Sequence, residues 1–312
     1  MTTQEAPGWL DAWCERYLHS SVRFVIFGAG EMSDVVGVRL DDGRPVVVKS
    51  RPSDGGRAAG CVEIQRRLAT AGVPCAVPLT EAITHDLVTV HAEEWRPGGV
   101  VRDDNGDRHA VQSAQALADV MAIAMTLPGP LPTVLPNPLW VQWDNHEPGG
   151  WPRHEVIDAR QKQTRVVLPE WLETVRLRVR ERIGRASLPL VVGHADWEAQ
   201  NLTWDGETIN TIHDWDSLAL RSESSLVGAA CGCFASTDVP TLAPLASSAT
   251  FLEAYEEAVG RRFTAEEREV AWAASLFPAA WNARGEILFD HDLVAARALR
   301  DQSEERLRLA GA

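Results

Sequence analysis

A pattern of the form H-x-D-x-x-x-x-N lies in the C-terminal half of the chain, with His194, Asp196 and Asn201 at its defined positions. A further acid, Asp214, follows Asn201 by thirteen residues. A site that transfers a phosphoryl group needs one carboxylate that orients the attacking hydroxyl and accepts its proton. It also needs an asparagine and a second aspartate that hold magnesium on the phosphates. The pattern contains each of these side chains and therefore indicates phosphoryl-transfer chemistry.

These side chains meet only if the chain turns back between them. Asp205 and Gly206 form a turn signal between two short strand-like runs, NLTW and TINTIH. Such a turn typically joins two antiparallel strands. We therefore expect a loop that carries Asp196 and Asn201, followed by a β-hairpin that ends near Asp214. His194 is expected to support the loop by hydrogen bonding, because Asp196 already fills the role of base.

A glycine-rich turn near the N-terminus contains Gly28, Gly30 and Ser33 and stands between two predicted strands. Glycines in such a turn let backbone N–H groups approach phosphates closely. The turn is not a Walker loop, because no Gly-Lys-Ser/Thr follows, and not a dinucleotide-binding fingerprint, because a strand rather than a helix follows. Taken alone, it would be interpreted as an ordinary hairpin turn.

Lysine is rare in this chain, since only Lys49 and Lys162 are lysines among 30 basic residues. Lys49 ends a predicted strand, where the kinase pattern has the lysine that contacts the α- and β-phosphates. Glu63, fourteen residues later, is the only acid of a predicted helix. We expect Glu63 to form the ion pair that positions Lys49. The alternative is a strand-end lysine in water and a solvated glutamate, and the scarcity of lysine argues against it.

Together these motifs resemble the aminoglycoside phosphotransferases and related small-molecule kinases, over about residues 20–100 and 185–235. Ala195 replaces the usual glycine of His-Gly-Asp, and His213 replaces the isoleucine of Ile-Asp-Trp. The resemblance implies that Asp196 is the catalytic base, and that Asn201 and Asp214 bind magnesium. It also implies a nucleotide donor, ATP or GTP.

The same resemblance assigns the remaining nucleotide contacts. Gly28, Gly30 and Ser33 would cradle the phosphates, with Ser33 at the position of the third kinase glycine, a departure that is usual in this family. Glu94 and Trp95 belong to the segment that would link two lobes, with its backbone at the adenine edge. Asp216 matches a second acid that is common in the family.

The order of predicted elements agrees with an α+β, bilobal protein-kinase-like fold. Residues 1–95 are predicted as β-β-β-α-β-β, a small sheet with one packed helix. Residues 96–312 are predicted to be mainly helical, with helices near 111–126, 169–183, 225–235, 246–260, 265–280 and 292–309. Residues 127–152, rich in Pro, Gly and Trp, are predicted to be a long loop or lid. The first part would bind nucleotide, and the second would hold the catalytic loop, the metal site and the acceptor site.

Composition and net charge disfavour some classes of binding partner. The formal net charge is −14, which disfavours nucleic acid and anionic membranes and suits a cationic substrate. No apolar run approaches the ~20 residues of a membrane span. The five scattered cysteines and the absence of a visible signal peptide favour a reducing, cytoplasmic location. The oligomeric state stays open.

The acceptor site is less clearly marked. Acidic candidates are Glu198, Glu286, Asp290 and Asp292, for which ordinary surface charge is an equal alternative. Trp140, Trp143 and Trp151 are candidates to stack on a sugar, with core packing as the alternative.

Three functions remain in competition. The first is an antibiotic O-phosphotransferase, and the second is a metabolic kinase acting on choline, a sugar or an amino alcohol. The third is a nucleotide-binding or inactive pseudokinase that serves as an interaction module. It is disfavoured because five site residues are all present, namely Lys49, Glu63, Asp196, Asn201 and Asp214.

Overall fold

The computed structural model describes residues 7–29 and 34–312, and the chain divides into two compact units. The N-terminal unit runs to Gly99 and includes two later segments, Leu127–Pro136 and Thr211–Asp216. The C-terminal unit consists of Val100–Thr126, Asn137–Asn210 and Ser217–Ala312. The chain therefore contributes to the N-terminal unit three times, whereas the sequence-based division at residue 95 gives that unit one continuous segment.

The N-terminal unit is built on one antiparallel sheet. Its strands are β1 (Val22–Ala29), β2 (Asp34–Leu40), β3 (Pro45–Pro52), β4 (Ile83–His85) and β5 (Val88–Glu94). They lie in the order β1-β2-β3-β5-β4. Its helices are α1 (Leu10–Leu18) and α2 (Arg57–Thr70). After α1, the elements follow the predicted β-β-β-α-β-β order.

The fourth strand is shorter than predicted. A strand was expected over residues 76–84, but β4 begins only at Ile83. Pro78, within this segment, has no N–H to donate, so the segment cannot form a continuous ladder. It instead contacts the sheet through single hydrogen bonds, such as Leu79 N–H to Ala92 O at 2.7 Å.

The two faces of this sheet differ in character. Val48 on β3 and Val90 and Ala92 on β5 are buried in a core with the apolar side of α1. Because side chains alternate along a strand, Lys49 and His91, which are direct partners across β3 and β5, lie on the opposite face. Arg51 and Glu93 lie on the same face, which therefore carries four buried ionisable side chains.

The C-terminal unit is mainly helical. Its helices are α3 (Asp107–Met125), α4 (Glu155–Thr164), α5 (Glu170–Arg185), α6 (Glu223–Cys233), α7 (Leu245–Ala258), α8 (Ala265–Ala274), α9 (Phe277–Phe289) and α10 (Val294–Leu309). The single helix predicted over 265–280 is two helices, α8 and α9. Pro278 lies in the first turn of α9, where its missing N–H costs no hydrogen bond. No helix in the described part of the chain has the length and apolar character to cross a membrane.

Short strands carry the loops of interest. They are β6 (Val100–Val101), β7 (Leu190–His194), β8 (Leu202–Asp205), β9 (Thr208–Ile212) and β10 (Leu218–Ser222). β7 pairs antiparallel with β10, and β6, β8 and β9 form a three-stranded sheet. The predicted hairpin of β8 and β9 is present, and Gly206 in its turn has φ +59°, which suits glycine.

Candidate active site

The predicted phosphate loop is only partly described. Gly28 is the seventh residue of β1 and is paired with Val36 on β2. Gly30 and Ser33 lie outside the described residues. Next to Gly28, the ring of Phe27 covers Gly37, where a Cβ would stand only 2.1 Å from a ring carbon. The absence of a side chain at Gly37 therefore leaves room for this ring.

Glu94 is the last residue of β5, and Trp95 follows it directly. The Glu94 N–H donates to Val77 O at 3.0 Å. The Trp95 ring lies 6.4 Å from that of Phe27. Their contact with the adenine edge stays a prediction.

Lys49 lies on β3 and is buried with its carboxylate partner. That partner is Glu93 on β5, whose Oε1 is 2.9 Å from Lys49 Nζ. The predicted ion pair with Glu63 is wrong. Glu63 instead accepts hydrogen bonds from Arg66 at 2.8 Å and from Arg67 at 2.7 Å, on a partly exposed face of α2. These arginines stand three and four residues further along the helix, the spacing at which side chains meet on one face.

A buried network of charges surrounds Lys49. Arg51, two residues along β3, pairs with Asp216 at 2.5 Å and donates a hydrogen bond to His91 Nδ1 at 3.2 Å. Burial alone would lower the pKa of Lys49, but the carboxylates of Glu93, Asp216 and Asp214 raise it, so the ammonium stays charged. Burial opposes ionisation of Asp216, and Arg51 and Lys49 overcome it and lower its pKa to about 2.

His91 is the neutral member of this network. Burial lowers the pKa of His91 to about 4, although Asp216 and Glu93 oppose that shift. Its Nδ1 accepts from Arg51, so the ring proton resides on Nε2. A protonated His91 would lose this acceptor and stand beside two cations.

Neutral His91 predicts a specific loss of stability in acid. In the unfolded chain a histidine takes up a proton below about pH 6.5, whereas the folded protein resists until about pH 4. The unfolded state then binds more protons, so stability is fully present above pH 6.5 and falls with pH below it. Between about pH 7.5 and pH 5.5, we expect the unfolding free energy to fall by ~1.3 kcal/mol more in the wild type than in His91→Gln.

Urea denaturation of both proteins at the two pH values measures this difference. Glutamine is a suitable replacement, because its amide oxygen can accept from Arg51 without titrating. An equal loss of stability in the two proteins would show that His91 is not the group responsible.

The predicted catalytic loop, which belongs to the C-terminal unit, begins where β7 ends. His194 is buried, and its Nδ1 accepts from the Asp196 N–H at 3.2 Å. The Asn201 amide donates to Asp196 Oδ2 at 2.8 Å and to Asp196 O at 3.0 Å. The five-residue spacing of aspartate and asparagine therefore closes into a direct contact. Asp196 is half-buried.

Two backbone anchors fix the same loop. Ala195 N–H donates to Ser217 O at 2.9 Å, and Trp140 Nε1–H donates to Ala195 O, also at 2.9 Å. Trp140 comes from the Pro- and Trp-rich loop, which has little regular structure, as predicted. The other two tryptophans of that loop, Trp143 and Trp151, are buried and pack against Phe277. Core packing is therefore the role of these two.

The candidate magnesium ligands carry suitable oxygens. The amide nitrogen of Asn201 is directed at Asp196, which leaves its Oδ1 to act as a ligand. Asp214, just beyond β9, has φ +55°, an unusual conformation for a residue other than glycine. Within the described residues, no group of three or more His, Cys, Asp or Glu forms a ready-made metal site. Magnesium typically uses one or two carboxylates together with substrate phosphates, and a carboxylate or an amide oxygen is a suitable donor for it.

The acidic candidates for acceptor binding have different roles. Glu286 is buried, and its two oxygens accept from the N–H groups of Ala295 and Ala296 at 2.8 and 2.9 Å. It therefore caps the N-terminus of α10. Glu198 is buried beside the catalytic loop and accepts from Gln200 at 2.7 Å. Asp290 and Asp292 are exposed.

Sequence reasoning missed three members of the buried network, Arg51, His91 and Glu93. A signal was present on β5, where Thr89, His91 and Glu93 alternate with apolar residues. On β3, Lys49 and Arg51 stand two apart, and on β5, His91 and Glu93 do the same. This period of two places all four on one sheet face.

Comparison with known proteins gives one family and one fold. A model of a family described as "Phosphotransferase enzyme family" (APH) matches residues 23–221. No curated protein sequence matches the chain.

Several solved structures share the fold. The amicoumacin kinase hAmiN, in complex with AMP-PNP, Ca²⁺ and Ami, is 13% identical over 91% of this chain and 88% of its own, with a TM-score of 0.61. A candidate fructosamine-3-kinase from Thermobifida fusca is 17% identical over 97% and 100%, with a TM-score of 0.57. A thermostable mutant of the aminoglycoside phosphotransferase APH(4)-Ia, with ADP and hygromycin B, is 15% identical over 97% and 99%, with a TM-score of 0.56. These similarities confirm the predicted α+β, protein-kinase-like fold.

Proposed function

Because the chain belongs to the phosphotransferase enzyme family, we propose that it transfers the γ-phosphate of ATP or GTP to a hydroxyl of an aminoglycoside or related cationic antibiotic. The general class of the enzyme is a phosphotransferase with an alcohol group as acceptor. Beyond that class, the proposal specifies the acceptor, the nucleotide, the magnesium ion, a cytoplasmic location and a role in antibiotic resistance.

The hydrogen bond between Asn201 and Asp196 is the observation that carries the proposal. It holds one oxygen of a half-buried carboxylate, Asp196 Oδ2, against the Asn201 amide and so fixes the orientation of that carboxylate. In the proposed reaction, Asp196 orients that hydroxyl and accepts its proton while the oxygen bonds to the γ-phosphorus. The bond from the γ-phosphorus to the β-γ bridging oxygen breaks, and the nucleoside diphosphate leaves. Transfer is direct, without a phosphorylated enzyme residue.

The charged groups supply the rest of the chemistry. Lys49 neutralises the α- and β-phosphates, and its pairing with Glu93 keeps it charged although it is buried. Asn201 and Asp214 would hold magnesium, which supplies further neutralisation of the triphosphate. Preorganised charge of this kind is usually the largest contribution to such catalysis.

The negative charge of the protein supports a cationic acceptor. The chain has a net charge of −14, and exposed Asp290 and Asp292 are available in the C-terminal unit. The alternative is a metabolic kinase for choline, a sugar or an amino alcohol. One observation favours it: Glu286, an acid expected at the acceptor site, is used as a helix cap.

An acceptor panel decides between these functions. Purified protein is incubated with magnesium and either ATP or GTP, together with aminoglycosides in one series and amino alcohols and sugars in the other. The proposal predicts nucleotide-dependent phosphorylation in the first series. Turnover of a metabolite with no antibiotic phosphorylated would replace it with the alternative.

A further inference from the structure

The carboxylate of Glu93 contacts two donors, the charged ammonium of Lys49 and the uncharged amide of Gln65. Its Oε1 faces Lys49 Nζ at 2.9 Å, and its Oε2 accepts from Gln65 Nε2 at 2.9 Å. The same Gln65 nitrogen also donates to Ala76 O at 2.8 Å. All three side chains are buried, so these contacts form away from water.

The position of Gln65 on α2 explains why this helix contributes no acid to Lys49. Gln65 falls on the buried stripe formed by Ala58, Cys61 and Leu68, at helical spacing. Glu63 lies off that stripe and already accepts from two arginines. Helix α2 therefore contacts Glu93, the partner of Lys49, through the neutral amide of Gln65.

We propose that Glu93 is the positioning residue for Lys49 in this enzyme, and that Gln65 links that ion pair to α2 in place of an acid on the helix. The catalytic consequence rests on the proposed function, whereas the pairing itself does not. Because β3 and β5 are adjacent strands, both charges of the pair belong to one sheet. The lysine is then oriented by the sheet, and α2 supports it only indirectly.

Glu93 is needed because Lys49 has other carboxylates nearby. Asp214 and Asp216 both act electrostatically on its ammonium. If Glu93 is made neutral, the ammonium is drawn towards these acids and away from the position it holds on the sheet. A displacement of about 1 Å at a catalytic group lowers the rate by about 100-fold.

The two lysines of this chain make the pairing directly measurable. Protein labelled with ¹⁵N only in lysine gives two side-chain ammonium signals, one from Lys49 and one from Lys162, which is exposed on α4. The variant Lys162→Arg assigns them. Buried and paired with Glu93, the Lys49 ammonium should exchange its protons slowly, and Lys162 serves as the internal reference.

The test compares Glu93→Gln with Glu63→Gln, which makes the same chemical change on α2. We expect Glu93→Gln to shift the Lys49 signal or broaden it by exchange, and Glu63→Gln to leave it unchanged. We also expect magnesium-dependent ATP hydrolysis without acceptor to fall about 100-fold in Glu93→Gln and to stay within about twofold in Glu63→Gln. If Glu93→Gln does not fold, Glu93→Asp keeps the buried charge and should show faster exchange and an intermediate rate, with Glu63→Asp as control.

The possible results test three statements separately, namely the pairing of Lys49 with Glu93, the positioning role of Glu93 and the proposed function. A Lys49 signal that responds to Glu63→Gln, or to neither variant, overturns the pairing with Glu93. A changed signal with unchanged hydrolysis overturns the positioning role. Wild-type protein that neither binds nor hydrolyses ATP would instead contradict the proposed function, and the Lys49 signals would still report the ion pair.

Discussion

The Asp196→Asn variant is expected to lose about 10³-fold in kcat for phosphoryl transfer, while its fold and its affinity for nucleotide stay unchanged. Asn201 donates to Asp196 Oδ2, so an asparagine at position 196 would turn its amide oxygen towards that donor. Its NH₂ group would then face the acceptor hydroxyl and could accept no proton. The backbone anchors of the loop, at Ala195 and at the carbonyl of residue 196, are preserved.

Steady-state kinetics, calorimetric titration with a nucleotide analogue and thermal melting measure these three properties. Asp301→Asn makes the same exchange on an exposed face of α10 and should behave as the wild type. A variant at position 196 that retains more than about a tenth of the wild-type kcat would remove Asp196 from the role of base.

The Gly228→Ala variant is expected to lose about 3 kcal/mol of unfolding free energy, the largest effect on stability that we predict. Gly228 lies on α6, which is buried from Ser224 to Cys233. A Cβ at this position would stand 2.2 Å from the carbonyl oxygen of Ala271 on α8. Gly232, one turn later, faces α8 in the same way, with a Cβ only 2.5 Å from Ser275 O.

A backbone neighbour cannot move aside as a flexible side chain can, so the methyl group must separate the two helices. At roughly 2–4 °C per kcal/mol, the melting temperature should fall by about 6–12 °C. Gly285→Ala is the matched control, because Gly285 is inside α9 and a Cβ there meets nothing within 4 Å. That change should stabilise by up to about 1 kcal/mol through helix propensity. Similar melting temperatures for the two variants would contradict the close approach of α6 and α8.

Local spacing predicted the loop around Asp196 and the β-hairpin that follows it. The contact between Asp196 and Asn201 depends on five residues of one loop, and the hairpin that follows depends on a turn signal in the sequence. Both are short-range features, for which residue types and spacing carry the required information. The helix break between α8 and α9 was also visible in principle, because Pro278 marks the first turn of a new helix.

The partner of Lys49 could not be found in the same way. Glu63 was chosen as the only acid in its helix, but charge alone does not say which helix face is buried. The apolar stripe of Ala58, Cys61 and Leu68 includes Gln65 and leaves Glu63 outside it. Glu93 was missed because its role depends on the register of β5 against β3, a long-range pairing that sequence alone does not supply.

The fate of the γ-phosphoryl group tests the central claim most directly. Wild-type protein is incubated with magnesium and ATP carrying an isotope label in the γ-phosphate, together with the panel compound that most raises its melting temperature. Mass spectrometry then follows the label. We predict that it appears on a hydroxyl of that compound, in step with ADP, and that Asp196→Asn forms none. Label found on a residue of the protein as an intermediate, or the same yield from Asp196→Asn, would contradict direct transfer with Asp196 as the base.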